Sequence, residues 1–346
     1  MKTVFVVDDG DTNRVALKAA LDNDYKTFAL PSAERMFEML KKKIPDIILL
    51  DIEMPGGMDG FEALKVLKST PEYKSIPVIF LTANNSAEVE VRGFNMGVVD
   101  FIAKPFTAPV LIRRIESHIE TEKIIKYHVR ALTKLHNATI SVIANLVESR
   151  DNITGRHVER TQGYLMILID EMLRIGLYKE ELASWDMGIL LPSAQLHDVG
   201  KIVISDTVLN KPDRLTPEEF EQIKRHSSEG ERIINEIIEK TEEDSFLIHA
   251  KRFASSHHEK WNGTGYPHKL AGLDIPLEGR IMAYADVYDA LVSERPYKKA
   301  FSHEKATEII LSDAGTHFDP NIAQAFENVS GDFWGELLRF QYEGKA

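Results

Sequence analysis

Up to about residue 105, short continuous apolar runs alternate with amphipathic segments along the chain. Such runs, without regular polar residues between them, are typical of parallel strands buried on both faces of a sheet. They occupy residues 4–7, 47–50, 78–81 and 101–103, with a weaker fifth run at residues 25–30. The segments with helical spacing cover residues 13–21, 33–40, 60–67 and 87–95. This order predicts a doubly wound α/β domain with a five-stranded parallel sheet.

The next stretch of the chain lacks residues that break helices. Between residues 110 and 154 there is neither proline nor glycine, and apolar residues recur close to helical spacing. We therefore expect one long helix. Because Glu122 and His136 fall on its apolar seam, two interpretations stay open, a coiled-coil homodimer and a helix packed along its own domain.

Beyond residue 141 the pattern is mainly helical, with glycine- and proline-bearing loops between the helices. The predicted helices cover residues 160–173, 180–197, 217–239, 246–258, 280–291 and 303–313. The chain is thus predicted to be multidomain, with a long helix joining an α/β domain to an all-α domain. The expected divisions are an α/β domain at 1–118, a helical linker at 119–140, an all-α domain at 141–330 and a C-terminal tail at 331–346.

Composition narrows the possible chemistry. The 346 residues include no cysteine, so disulfides and thiolate metal sites are excluded, and any metal must be held by nitrogen and oxygen. The net charge of -12 argues against nucleic-acid partners. No stretch approaches the ~20 apolar residues of a membrane span, so we expect no membrane insertion and a cytoplasmic location. All 12 histidines lie at or after His118, which indicates different chemistry in the two halves.

Polar side chains follow four of the predicted strands directly. They are Asp8, Asp9, Asp51, Thr82 and Lys104. Ligands of open α/β sheets bind at the carboxyl ends of the strands, so these side chains should converge. Oxygen ligands with room for water suit Mg²⁺, and one carboxylate could then attack phosphorus. Aspartates that merely cap the following helices are the alternative interpretation.

These residues, with the segment Leu50-Asp51-Ile52-Glu53-Met54-Pro55, resemble the flavodoxin-like receiver domain of two-component response regulators. The resemblance implies that a cognate sensor histidine kinase phosphorylates Asp51. It also implies that Mg²⁺ is held by Asp9, Asp51 and the carbonyl of Glu53, with Asp8 assisting. Thr82 and Lys104 would contact the phosphoryl group, and Phe101 would be the switch aromatic residue.

The second half carries a mixed set of histidines and aspartates. The set consists of His157, His197, Asp198, His226, His257, His258 and Asp286. Imidazole with carboxylate suits iron, manganese or zinc rather than Mg²⁺ or Ca²⁺. Seven ligands exceed the need of one ion, whereas two ions sharing a carboxylate would use them, as in many enzymes that split phosphate esters. His257 and His258 are adjacent, so both could reach one ion only near a helix end. Ordinary polar or capping histidines are the alternative.

His197-Asp198 and the run from His257 to Pro267 resemble the HD-GYP family of HD-domain phosphohydrolases. The resemblance implies hydrolysis of cyclic di-GMP to linear pGpG by a hydroxide that bridges two metals. One metal would be held by His157, His197, Asp198 and Asp286, and the other by Asp198, His226, His257 and His258. Asp198 and Lys201 would be the catalytic residues, with Lys201 stabilising charge or protonating the leaving oxygen. Candidate substrate contacts are Arg295, Lys298, Tyr266 and Gly265.

One position departs from the family pattern. Members with three metals carry a glutamate four residues before the first ligand histidine, where this chain has Ile153. We therefore expect two metals, iron or manganese before zinc, and pGpG as the main product. Two alternatives stay open: a catalytically weak adaptor that acts through protein contacts, and hydrolysis of another cyclic dinucleotide.

Overall fold

The computed structural model describes residues 1–83, 86–150, 156–241, 244–294 and 299–343. The chain divides into two units, Met1–Thr133 and Lys134–Ala346. Each unit has its own hydrophobic core.

The first unit is built on a five-stranded parallel sheet. Its strands are β1 (Thr3–Val7), β2 (Lys26–Leu30), β3 (Ile47–Asp51), β4 (Val78–Thr82) and β5 (Asp100–Ala103), in the order β2-β1-β3-β4-β5. The strands alternate with helices α1 (Asp11–Leu21), α2 (Ala33–Leu40), α3 (Gly60–Ser69) and α4 (Ala87–Asn95). The predicted α/β fold is confirmed, including the weaker strand at 26–30. β1, β3 and β4 are buried along their whole length, which explains their continuous apolar runs.

A single long helix, α5 (Ala108–Glu148), contributes residues to both units. Leu111 and Ile115 are fully buried in the first unit, and Ala144 and Val147 are buried in the second. Between them, apolar side chains such as Leu132 and Leu135 are 65% and 64% exposed. Neither the coiled-coil interpretation nor its alternative is decided by this pattern.

The second unit is helical, as predicted. Its helices are α6 (His157–Ile175), α7 (Lys179–Ala183), α8 (Met187–Ala194), α9 (Asp206–Leu209), α10 (Pro217–Lys240), α11 (Ser245–Ser256), α12 (Leu277–Val292), α13 (His303–Ser312) and α14 (Pro320–Glu343). Two short 3₁₀ helices cover Val199–Val203 and Gly272–Asp274. The core packs α6 against α12 and α14, and Tyr164 stacks on Phe333 with ring centroids 4.7 Å apart. This packing fixes the two helices that carry His157 and Asp286.

Two helical predictions differ from the structure. The single helix expected over 180–197 is two helices, α7 and α8, because the Asp186 side chain accepts a hydrogen bond from the Gly188 amide and starts a new helix. As a result, His197 lies beyond α8 rather than within a helix. Helix α14 was not predicted, and it continues past residue 330 with Phe333 and Leu337 buried. The domain boundaries at 118, 140 and 330 stay predictions.

Within the described ranges, no helix is both long and apolar enough to cross a membrane.

Candidate metal centres

In the first unit, acidic side chains gather at the carboxyl ends of β1 and β3. One oxygen from each of Asp8, Asp9 and Asp51 lies within 4.8 Å of the others. Lys104, which follows β5, places its ammonium nitrogen 2.8 Å from Asp8 Oδ2 and 2.6 Å from Asp51 Oδ2. Asp8 and Asp51 are buried, whereas Asp9 and Glu53 are exposed. The Lys104 ammonium group thus contacts both buried carboxylates, whereas the third carboxylate, that of Asp9, is exposed to solvent.

The two buried carboxylates are supported unequally. Asp8 accepts further hydrogen bonds from the Gly10 amide and the Asn13 side chain. Although burial raises the pKa of Asp8, the hydrogen bonds from Lys104 and Asn13 lower it below its usual value. At Asp51, burial together with the charge of Asp8 raises the pKa despite Lys104. Asp51 is thus the less stabilised carboxylate of the pair.

The remaining predicted residues of this unit lie close to the same sheet edge. Thr82, the last residue of β4, is buried. Phe101 on β5 is also buried, edge-on to Phe80 and Phe94 with ring centroids 5.6 and 5.1 Å away. The role of Phe101 as a switch stays a prediction.

In the second unit, the seven predicted ligands come from five places along the chain. His157 begins α6, His226 lies on α10 and Asp286 lies on α12. His197 and Asp198 stand between α8 and the 3₁₀ helix Val199–Val203, and His257 and His258 directly follow α11. As expected, the adjacent histidines lie at a helix end. A methyl group on Gly200 would collide with the carbonyl oxygen of His226, so glycine there permits this segment to approach α10.

Three of the imidazoles are oriented by carbonyl groups of their own segments. Nδ1 of His197 donates to Ala194 O at 2.9 Å, and Nδ1 of His257 donates to Phe253 O at 2.9 Å. Nδ1 of His226 likewise donates to Ile223 O at 2.7 Å. A carbonyl oxygen only accepts, so Nδ1 carries the proton and Nε2 is left as a lone-pair atom in the neutral ring. Burial favours the neutral form of two of these rings, because it lowers the pKa of His226 and lowers that of His257 to about 3.

His157 is oriented by a carboxylate instead. Its Nδ1 lies 2.8 Å from Asp289 Oδ2, and Asp289 also accepts hydrogen bonds from the Arg160 guanidinium and the Tyr164 hydroxyl. Burial alone would lower the pKa of His157, yet Asp289 raises it. A carboxylate on the far nitrogen of a histidine is the usual support of a metal ligand.

The Nε2 atoms of the rings converge on the carboxylates and on one another. Nε2 of His226 is 3.3 Å from both Nε2 of His257 and Asp198 Oδ1, and Nε2 of His197 is 3.3 Å from Asp198 Oδ2. Nε2 of His157 is 3.5 Å from Asp286 Oδ1. Among the described residues, the buried Nε2 of His197 and Oδ1 of Asp198 have no hydrogen-bond partner. Lone pairs that face one another in a buried site repel unless a cation lies between them, so the donor set fits metal ions.

In the second unit, candidate ligand atoms form two groups of three residues, neither of which includes Asp286. One contains His157, His197 and Asp198, and the other contains His226, His257 and His258, each with its atoms within 4.8 Å of one another. Asp198 lies within 3.8 Å of rings from both groups. Although burial raises the pKa of Asp198, the charge of Lys201 holds it well below its usual value. Lys201 Nζ is 2.9 Å from Asp198 Oδ2, which brings an ammonium group to this carboxylate.

Of the predicted substrate contacts, two lie beside the site. The Tyr266 ring lies against the His258 ring, with centroids 4.8 Å apart, and burial raises the pKa of its hydroxyl. Gly265 passes so close to the backbone of Glu259 and Lys260 that a side chain would not fit. Arg295, Lys298 and Ile153 lie outside the described residues.

Sequence reasoning assigned no role to Asp289, although its side chain is buried and orients His157. The spacing of the two aspartates could have indicated this role, because Asp289 follows Asp286 by three residues and so lies on the same face of α12. Its partner Arg160 follows His157 by three residues on α6.

Comparison with known proteins gives matches in both units. The HD domain family matches residues 141–322, and the response regulator receiver domain family matches residues 4–116. The chain is 37% identical to the "Probable cyclic di-GMP phosphodiesterase" of Vibrio cholerae, over 99% of this chain and 81% of that protein. It is 31% identical to the "Cyclic di-GMP phosphodiesterase response regulator RpfG" of Xanthomonas campestris, over 95% of this chain and 90% of that protein.

A partial match concerns the second unit. The "3'3'-cGAMP-specific phosphodiesterase 2" of Vibrio cholerae is 38% identical over 57% of this chain and 34% of that protein. The chain therefore resembles proteins named for two different cyclic dinucleotides.

Proposed function

The chain belongs to the response regulators that join a receiver domain to an HD domain, and from this premise we propose that it is a metal-dependent cyclic di-GMP phosphodiesterase controlled by phosphorylation of Asp51. The observation that carries the proposal is the convergence of buried imidazole Nε2 atoms on Asp198, with their Nδ1 protons held elsewhere. Relatives named cyclic di-GMP phosphodiesterases support the choice of substrate.

In this proposal two metal ions share Asp198. His157, His197 and Asp286 complete one site, and His226, His257 and His258 complete the other. Nitrogen and oxygen donors favour iron or manganese, with zinc as the alternative. Such ions supply Lewis acidity toward a phosphodiester oxygen and a nucleophilic water at neutral pH.

The protein's own groups supply orientation and charge. Lys201, whose Nζ is 2.9 Å from Asp198, would stabilise negative charge on the phosphoryl oxygens or give a proton to the leaving oxygen. Tyr266, on the ring of His258, is placed to contact a guanine base. Because Ile153 offers no ligand atom, we propose two metals rather than three and pGpG as the main product.

The test is turnover by protein purified without oxygen and loaded with Mn²⁺ or Fe²⁺. Cyclic di-GMP and 3'3'-cGAMP are assayed in parallel, and products are separated by chromatography. We expect pGpG from cyclic di-GMP, and a loss of activity in His197→Ala but not in the control His128→Ala, whose side chain is exposed on α5. Faster cleavage of 3'3'-cGAMP would transfer the proposal to that substrate, which one relative's name favours. No turnover of either would favour an adaptor.

Phosphorylation control rests on the acidic group of the first unit. Asp51 is buried, is paired with Lys104 and lies beside Asp8 and Asp9, which suits Mg²⁺ and a phosphoryl group delivered by a sensor histidine kinase. A homodimer through the receiver and α5 is also proposed, because apolar side chains along the middle of α5 are exposed. Light scattering with and without beryllofluoride tests it, and a monomer under both conditions would contradict it.

A further inference from the structure

The end of α5 and the turn after it hold the backbone of the segment that carries Lys201. Arg150 donates to the carbonyl oxygens of Ile202 and Ile204 at 2.6 and 3.0 Å, and to Lys201 O at 3.4 Å. The same guanidinium lies 2.7 Å from an oxygen of Asp206. The carbonyl of Arg150 in turn accepts a hydrogen bond from the Asn210 side chain at 2.7 Å.

These contacts matter because the 3₁₀ helix Val199–Val203 has little stability of its own. A 3₁₀ helix of one turn has poor hydrogen-bond geometry, and the carbonyl groups at its end need outside partners. Arg150 supplies such partners to the carbonyl oxygens of Lys201, Ile202 and Ile204. Since Lys201 belongs to this segment, Arg150 limits where the Lys201 ammonium can lie relative to Asp198.

Glu148, two residues earlier, makes a matching contact with α6. Its Oε1 accepts a hydrogen bond from the backbone amide of His157 at 2.9 Å. The residue before His157, Arg156, has a left-handed φ of 74° and gives α6 no side-chain cap. Glu148 therefore serves as the acceptor at the start of α6, where a negative charge is favoured.

Glu148, His157 and Lys201 line a small cavity beside the proposed metal site. Val147 and Glu148 line it from α5, and His157, His197 and Asp198 line it from the site. Neither Glu148 nor Arg150 belongs to the groups of candidate ligands found among the described residues. Glu148 contacts the backbone of the candidate ligand His157, and Arg150 contacts the backbone of the segment that carries Lys201 and the side chain of Asp206.

We infer that Arg150 and Glu148 are positioning residues of the metal site, Arg150 acting through Lys201 and Glu148 acting through His157. The end of the long helix thereby sets the geometry on both sides of Asp198. The catalytic part of this inference rests on the proposed function, whereas the positioning part does not.

A double-mutant cycle tests Arg150 with the full-length, metal-loaded protein. Arg150→Ala should lower kcat by about 10- to 100-fold, the usual effect of losing a supporting contact, with unchanged metal content. In a Lys201→Ala background the same change should cost no more than about threefold, because the group it positions is gone. Arg130→Ala, an exposed change on α5, is the matched control. A wild-type kcat in Arg150→Ala, or an equal loss in both backgrounds, would overturn the inference.

Hydrogen exchange gives a readout that does not depend on activity. Arg150→Ala, or Arg150→Gln if the alanine variant does not fold, should exchange faster over residues 199–206 and unchanged over 277–292. Wild-type exchange over 199–206 would overturn the positioning role, even if neither dinucleotide were a substrate. If the wild type showed no turnover but the exchange results were as expected, only the proposed function would be contradicted.

Glu148 is tested by conservative rescue in the same experiment. Glu148→Ala should speed exchange of the first amides of α6, whereas Glu148→Gln, which keeps an acceptor oxygen, should restore protection. Equal exchange in both variants and the wild type would show that Glu148 does not hold this helix start.

Discussion

Two aspartates, the buried Asp51 and the half-buried Asp198, each lie beside a lysine in their own unit, but they are surrounded by different atoms. Around Asp51 the neighbours are oxygens, and Lys104 is 2.6 Å away. Around Asp198 the neighbours are imidazole nitrogens, and Lys201 is 2.9 Å away. An oxygen site suits Mg²⁺, which keeps several waters, whereas fixed imidazoles suit a transition metal that is retained. The same residue pair is thus proposed to serve a transient phosphoryl group in one unit and a resident metal in the other, according to its neighbours.

The strongest way to break this comparison is to remove each aspartate in turn. Asp198→Ala should lower hydrolysis by about a thousandfold or more, because both proposed metals lose a shared ligand. The Asp51→Asn variant should hydrolyse cyclic di-GMP equally fast with and without acetyl phosphate, because it has no carboxylate to phosphorylate. Initial rates and metal content measure both effects. If Asp198→Ala kept its metals and its rate, the proposed site would be wrong.

A smaller loss of activity should follow from changing Asp289, which orients the proposed metal ligand His157, than from removing a proposed ligand itself. Asp289→Asn keeps the size of the side chain but takes the negative charge from His157 and Arg160. We expect metal affinity or activity to fall by about 10- to 100-fold. Asp170→Asn, an exposed change on α6, is the control. Competition with a chelator measures the affinity, and an unchanged affinity and rate would contradict the role of Asp289.

In the receiver, the corresponding support is Lys104. Lys104→Gln removes the cation between Asp8 and Asp51, so the carboxylates repel and the phosphoryl group loses a partner. We expect phosphorylation by acetyl phosphate to slow by about tenfold or more. The exposed Lys65→Gln on α3 is the control. Phosphate-affinity electrophoresis follows the reaction, and wild-type rates in Lys104→Gln would count against this role.

The smallest effect concerns acid stability, which should differ between the units. Burial lowers the pKa of His317 in the helical unit to about 4. The native state thus binds fewer protons than the unfolded chain between about pH 6.5 and pH 4, so stability falls as the pH falls through this window. Between pH 7 and pH 5, His317 should lower the free energy of unfolding by about 1–2 kcal/mol. The His317→Gln variant should not show this contribution. Calorimetry measures it; equal pH dependence in His317→Gln and wild type would contradict the assignment.

How much the sequence could predict differs between the units for a physical reason. The receiver's acidic group follows from one rule, since parallel strands end at one sheet edge and bring Asp8, Asp51 and Lys104 together. The helical unit offers no such rule. Its ligand types were readable from the sequence, but the hydrogen bonds that orient their rings were not.

Two features of the helical unit, the break within residues 180–197 and the role of Asp289, illustrate this difference. The segment 180–197 has continuous helical spacing, yet a local cap at Asp186 divides it. Asp289 differs little in sequence context from any acidic residue on a helix, and only the packing of α6 on α12 brings it to His157. The contact between α6 and α12 is decided by tertiary structure, whereas the cap at Asp186 is a local choice that helical spacing does not reveal.

The most direct test of the central claim is a titration of metal-free protein with Mn²⁺ or Fe²⁺ under anaerobic conditions, with the rate of cyclic di-GMP hydrolysis recorded against bound metal. The proposal predicts that the rate rises to a plateau at two ions per chain and that pGpG is the main product. A plateau at one or three ions, or no hydrolysis with the site filled, would contradict it.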